Sequence, residues 1–181
     1  MKVLETSLSG VKILEPQVHE DSRGFFMESY SQRVLDDLLG EAVTFVQDNH
    51  SRSTKGVLRG LHYQVAPKEQ GKLVRVTVGE ILDVVVDMRR QSPTFGQWES
   101  TILSAENKRQ LWVPPGFAHG FYVLSDVADC LYKTTSYYSS ECERSILWCD
   151  EQLGINWQLF AEPVVSEKDQ GAPVFAAANY V

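Results

Sequence analysis

Two histidines stand in settings that suit proton chemistry: His62 in Gly60-Leu61-His62-Tyr63-Gln64, and His119 in Pro114-Pro115-Gly116-Phe117-Ala118-His119-Gly120-Phe121. A free imidazole titrates near pH 6.5, so a neutral ring is available at working pH to take a proton from an acidified carbon. A lone histidine is more often structural than catalytic, so its surroundings must decide. Lys72 opens the run Lys72-Leu73-Val74-Arg75-Val76-Thr77-Val78 and, in a strand, shares a face with Val74, Val76 and Val78. If that face lines an interior, the cation sits at the rim of an apolar cavity and needs a partner or a ligand. The alternative is a strand-end lysine whose head reaches water.

Strands must hold these groups. The runs Gly56 to Val65, Lys72 to Val78, Ile81 to Met88, Trp98 to Leu103, Arg109 to Val113, Gly120 to Leu124, Ala128 to Thr135 and Arg144 to Trp148 read as strands, with turn residues between them. Lys72 to Val78 and Ile81 to Met88, split by Gly79-Glu80, are expected to form a hairpin. Val34, Leu35, Leu38 and Leu39 recur at helical spacing behind Ser31, a good N-cap residue, and Gly40 stops the pattern. The connections are too short for repeated βαβ crossovers, so the expected fold is all-β and antiparallel, a jelly roll. The tail from Ile155 to Val181, with Pro163 and Pro173, is expected to cover the barrel with turns and short peripheral helices. Arg59 and His62 differ by an odd number of positions and would face opposite sides of a regular strand. A bulge at Gly60 would turn both into one cavity.

With 181 residues, 43% hydrophobic and 23% charged, the chain can bury a core as one domain, 1–181, and shows no linker composition. A net charge of -7 argues against a general nucleic-acid partner, because phosphate contacts need a basic field. Met1 to Gly10 has no apolar segment behind a basic start. No run approaches the roughly 18 apolar residues of a membrane span, so a cytoplasmic protein is expected. Cys130, Cys142 and Cys149 lack Cys-x-x-Cys spacing and read as reduced structural thiols.

Pro114-x-Gly116-x-x-His119 is similar to the second motif of cupins, which are double-stranded β-helix barrels. The first cupin motif supplies His-x-His and a glutamate to a metal, whereas here the matching place reads His62-Tyr63-Gln64. His62, His119 and Glu69 would match the usual zinc or iron sites poorly, so a metal-free barrel is expected. A more specific resemblance follows from Gln47-Asp48-Asn49-His50-Ser51, then Gly56-Val57-Leu58-Arg59-Gly60-Leu61-His62-Tyr63-Gln64. It continues through Asp21-Ser22-Arg23-Gly24-Phe25-Phe26, Gly71 to Val76, Asp83 to Arg89, Leu131-Tyr132-Lys133 and Ser166-Glu167-Lys168-Asp169. The chain resembles the dTDP-4-dehydrorhamnose 3,5-epimerase family over nearly its whole length.

That resemblance implies a cofactor-independent enzyme acting on dTDP-4-dehydro-6-deoxy-D-glucose, whose C4 ketone acidifies the C3 and C5 protons alike. It assigns His62 as base, Asp169 as the residue orienting it, Lys72 as counter-charge to the enolate and Tyr132 as acid. Arg23 and Arg59 become phosphate ligands, and Tyr138 stacks on the base. Glu28, Gln47, Asp48, Asn49, His119, Glu143 and Lys168 become substrate-binding residues. It further implies a homodimer in which an N-terminal segment reaches the partner's pocket, so that Arg23 and Glu28 act in trans. The sequence departs from the family pattern late in the chain, at Cys149-Asp150-Glu151 and Trp157-Gln158, leaving room for another deoxysugar pathway. Inversion at C3 or C5 only, a metal-dependent cupin enzyme and a non-catalytic sugar-nucleotide binding module are the competing readings.

Overall fold

The computed structural model describes residues 1–181. Its elements are β1 (Lys2–Glu5), β2 (Lys12–Glu15), β3 (Val18–Asp21), β4 (Gly24–Met27), α1 (Gln32–Leu39), β5 (Gln47–Thr54), β6 (Leu58–Gln64) and β7 (Lys72–Val78). They continue with β8 (Glu80–Asp87), β9 (Trp98–Ser104), β10 (Gln110–Val113), β11 (Phe117–Val123), β12 (Val127–Thr134), β13 (Glu143–Ser145) and α2 (Glu167–Gln170), then a 3₁₀ turn at Phe175–Ala177. A six-stranded sheet runs β1-β2-β10-β7-β12-β5, a five-stranded sheet runs β13-β6-β11-β8-β9, and β3-β4 stands apart as a two-stranded hairpin. From β5 onward the chain passes repeatedly from one large sheet to the other, and all strand pairs are antiparallel. This is the cupin-type jelly roll.

Alternation along each strand explains the layers. On β8, Ile81 and Val85 face the barrel interior and pack with Val74, Val76, Leu111, Val113, Phe117, Phe121 and Cys130. Its alternate residues Leu82, Val84 and Val86 face outward, where Leu153, Trp157 and Phe175 of the C-terminal tail cover them. Both faces are therefore buried, which is why β8 reads as a continuous apolar run. The outer face of the larger sheet is closed by α1, whose Leu35 packs with Leu14, Leu73 and Trp112. A fully buried side chain of this kind contributes roughly 1.5–3 kcal/mol.

The structure corrects several expectations. β7 and β8 are not a hairpin, because they lie in different sheets, and Gly79 (φ +73°) turns the corner between them. A Cβ there would meet the Val127 carbonyl oxygen at 1.9 Å, so the tight corner requires glycine. Apolar periodicity reports which faces are buried, not which strand is the neighbour. Ser31 precedes α1 in extended conformation but its side chain makes no cap bond, whereas Gly40 (φ +75°) closes the helix through its N–H to the Asp36 carbonyl. β11 begins at Phe117 rather than Gly120, and β13 ends at Ser145 rather than Trp148. β1 to β5 were not legible as strands. β5 has a polar inner face (Gln47, Asn49, Ser51, Ser53) because part of it borders a cavity instead of the core.

Candidate active site

Between the two large sheets the apolar filling gives way to a cavity of about 590 Å³. Strand parity aims Gln47, Asn49 and Ser51 of β5, Lys72 of β7 and Tyr132 of β12 into it from the six-stranded sheet. From the five-stranded sheet come Arg59, His62 and Gln64 of β6, His119 of β11 and Glu143 of β13, while α2 adds Lys168 and Asp169.

The expected bulge is present. His62 lies opposite His119 and Arg59 opposite Phe121, so three steps along β6 match two along β11. Gly60 has φ +123°, and a Cβ on it would stand 2.5 Å from Gly120 Cα. The extra residue resets the alternation and lets Arg59 and His62 line one cavity.

His62 Nε2 lies 2.6 Å from Asp169 Oδ1. Donation from Nε2–H to the carboxylate leaves Nδ1 as the ring's proton acceptor. Asp169 is itself held from two sides: its Oδ2 accepts from the Gly60 N–H at 3.3 Å, and its own N–H donates to the Ser166 hydroxyl that caps α2. Burial works against its ionisation, but the hydrogen bond and charge of His62 and the Gly60 N–H hold it below the usual carboxylate value.

Lys72 is 6% exposed, which settles the strand-end alternative in favour of an interior cation. Its Nζ donates to the His62 carbonyl oxygen at 3.0 Å. Burial pushes its pKa down to about 8, against the opposing pull of Asp83 and Glu143. Tyr132 packs against the interior core, and burial, with the neighbouring Cys130, raises its pKa, so the phenol keeps its proton. His62 and Tyr132 thus stand on facing walls.

At the rim, Tyr138 donates its hydroxyl to Glu143 Oε2 at 3.0 Å, and Lys168 Nζ lies 2.6 Å from the same oxygen. The Tyr138 ring stays largely exposed while its N–H is tied to Gln47 Oε1, leaving a face open for stacking. Gln64 anchors this loop by accepting from the Ser139 N–H and donating to the Tyr137 carbonyl. Its role was not legible from the sequence, where only the missing second histidine marked the position.

Three expected residues lie elsewhere in this chain. Asp48 projects to the outer face of β5 and pairs with Lys133 at 2.9 Å, as the alternation with Gln47 and Asn49 requires. Arg23 sits at the exposed β3–β4 turn, paired with Asp21, and Glu28 follows β4; neither lines the cavity. Glu69 also lies outside the lining, and no three His, Cys, Asp or Glu side chains converge as a metal-holding group. Cys130 and Cys142 are buried thiols, but Cys149 is exposed.

A cupin-type barrel with titratable side chains on facing walls of an interior cavity is the class that fold and cavity define. The family model described as dTDP-4-dehydrorhamnose 3,5-epimerase matches residues 5–177. A dTDP-4-dehydrorhamnose 3,5-epimerase of Shigella flexneri is 57% identical over 99% of this chain and 99% of its own. Its Salmonella typhimurium counterpart is 58% identical over 98% and 97%. The crystal structure of the Legionella pneumophila dTDP-6-deoxy-D-glucose-3,5-epimerase in complex with dTDP-4-keto-L-rhamnose superposes with a TM-score of 0.94 at 53% identity, covering 97% of this chain and 93% of that one. The chain belongs to the dTDP-4-dehydrorhamnose 3,5-epimerase family and is a sugar-nucleotide epimerase.

Proposed function

We propose that the enzyme inverts C3 and C5 of dTDP-4-dehydro-6-deoxy-D-glucose to give dTDP-4-dehydro-L-rhamnose, in dTDP-L-rhamnose biosynthesis, without a cofactor. The observation that carries the mechanism is the His62–Asp169 dyad on one wall facing Tyr132 and Lys72 on the other. His62 Nδ1 takes the proton beside the C4 ketone. The Asp169 carboxylate stabilises the resulting imidazolium, the Lys72 ammonium stabilises the enolate oxygen, and Tyr132 returns a proton to the opposite face. A second round at the other carbon uses the same groups, because one ketone acidifies both positions.

Arg59 serves the diphosphate and Tyr138 the thymine face, with Gln47, Asn49, His119, Glu143 and Lys168 around the rest of the ligand. The exposed β3–β4 hairpin, with Phe25 58% and Phe26 73% exposed, supports a homodimer in which Arg23 and Glu28 complete the partner's cavity. Three free cysteines are in keeping with a cytoplasmic setting.

The test is incubation of purified protein with this substrate in deuterated water and no added cofactor. Deuterium at both C3 and C5 is expected. Label at one carbon would assign a mono-epimerase, and activity lost to a chelator and restored by iron or zinc would overturn the metal-free mechanism.

A further inference from the structure

Asp83 is the one acid in the run Ile81 to Val86, and it lies on the inner face of β8 between Ile81 and Val85. It is fully buried, with Phe121 of β11 opposite on one side and Thr101 of β9 on the other. Its Oδ2 lies 2.8 Å from His119 Nε2, and its Oδ1 has no hydrogen-bond partner. Such a carboxylate is expensive to bury unless it answers nearby positive charge. The ionisable groups around it are His119 of β11, Lys72 of β7 and Cys130 of β12; Lys72 also feels Glu143 of β13. His119 has no other carboxylate within salt-bridge distance, and Lys72 has none at that distance, its Nζ being bound to the His62 carbonyl.

We propose that Asp83 is a positioning residue: from behind the cavity it fixes His119 in the Nε2–H tautomer, leaving Nδ1 as the acceptor offered to the sugar. This rests on the epimerase reading for its catalytic consequence, but the tautomer does not. In this arrangement the proton of the contact sits on the ring nitrogen, which donates to Oδ2. Burial raises the Asp83 pKa above the usual carboxylate value, and His119 and Lys72 pull against that rise without reversing it. Asp83 therefore repeats on β8, for His119, the orienting contact that Asp169 makes with His62.

Imidazole nitrogen NMR of the ligand-free protein reads the tautomer directly. His119 is expected as Nε2–H in the parent and as a mixture in Asp83→Asn. In kinetics, Asp83→Asn should lower kcat/KM about 10- to 100-fold. The double variant with His119→Asn should lose less than the product of the two single losses. An Nδ1–H tautomer in the parent overturns the proposal even if Asp83→Asn fails to fold. So do strictly multiplicative losses in the double variant. If the parent exchanges no deuterium, the epimerase reading and the catalytic role fall together, while the tautomer still decides the pairing.

Discussion

At the scale of single residues, the proposed mechanism divides the site into groups that hold charge and groups that move protons. His62 has Asp169 to receive its positive charge, and Tyr132 is buried enough to stay neutral, so their loss should read differently. His62→Ala is expected to reduce exchange at both carbons by roughly 10²–10⁴-fold. Tyr132→Phe should slow net inversion more than deuterium wash-in, and equal losses in both would reject separate base and acid roles. Lys72 carries the opposite trade. Its folded pKa, about 8, lies below the free value of 10.5, so its ammonium destabilises the fold below about pH 8, and the penalty disappears as pH rises past the unfolded value. Lys72→Met should therefore gain up to about 3 kcal/mol in denaturation at pH 7 while losing turnover, with the gain shrinking between about pH 8 and 10.5.

At the scale of elements, the β6 bulge and the short helix α2 converge on one contact, because the Gly60 N–H and the Ser166 cap both hold Asp169. Gly60→Ala would drive a Cβ into Gly120 Cα and the His119 carbonyl oxygen at a positive φ. A large fall in melting temperature is expected, with any folded fraction losing activity far more than an equally destabilised core variant. The turn after β8 is organised by another carboxylate. Asp87 accepts from the Arg89 N–H and guanidinium, Ser92 and Thr94, and these bonds outweigh burial to hold its pKa at about 2. A depressed carboxylate stabilises above its unfolded value and loses that contribution as pH falls through its folded one. Asp87→Asn should cost about 2 kcal/mol at pH 7 in urea unfolding, with the difference closing between about pH 4 and 2.

At the scale of the whole molecule, the cavity has most of its expected residues from one chain, while Arg23 sits on, and Glu28 directly after, a hairpin that pairs with neither large sheet. If the partner's cavity receives that hairpin, Arg23→Ala and His62→Ala disable different halves of a shared site. Refolding the two inactive variants together should restore about a quarter of parental activity, since half the dimers are mixed and each mixed dimer keeps one intact site. No recovery, with mixed dimers present by mass, would place Arg23 in its own subunit's chemistry or outside it.

Much of this was legible in the order of residues. Alternation put Lys72 on one face with Val74, Val76 and Val78 but left the interior and strand-end readings open, the glycine between Arg59 and His62 offered a bulge, and the helical spacing behind Ser31 placed α1. Resemblance to a family supplied Asp169 as the partner of His62, 107 residues away. Only the tertiary structure showed that β7 and β8 part into different sheets, that polar β5 is a strand, that Asp48 faces outward, and that Asp83 sits behind His119. The physical reason is common to all four. Spacing along a chain encodes which side of a strand is buried, whereas neighbours across a sheet are chosen by closure of the whole barrel, and a strand bordering a polar cavity carries no apolar rhythm to announce it.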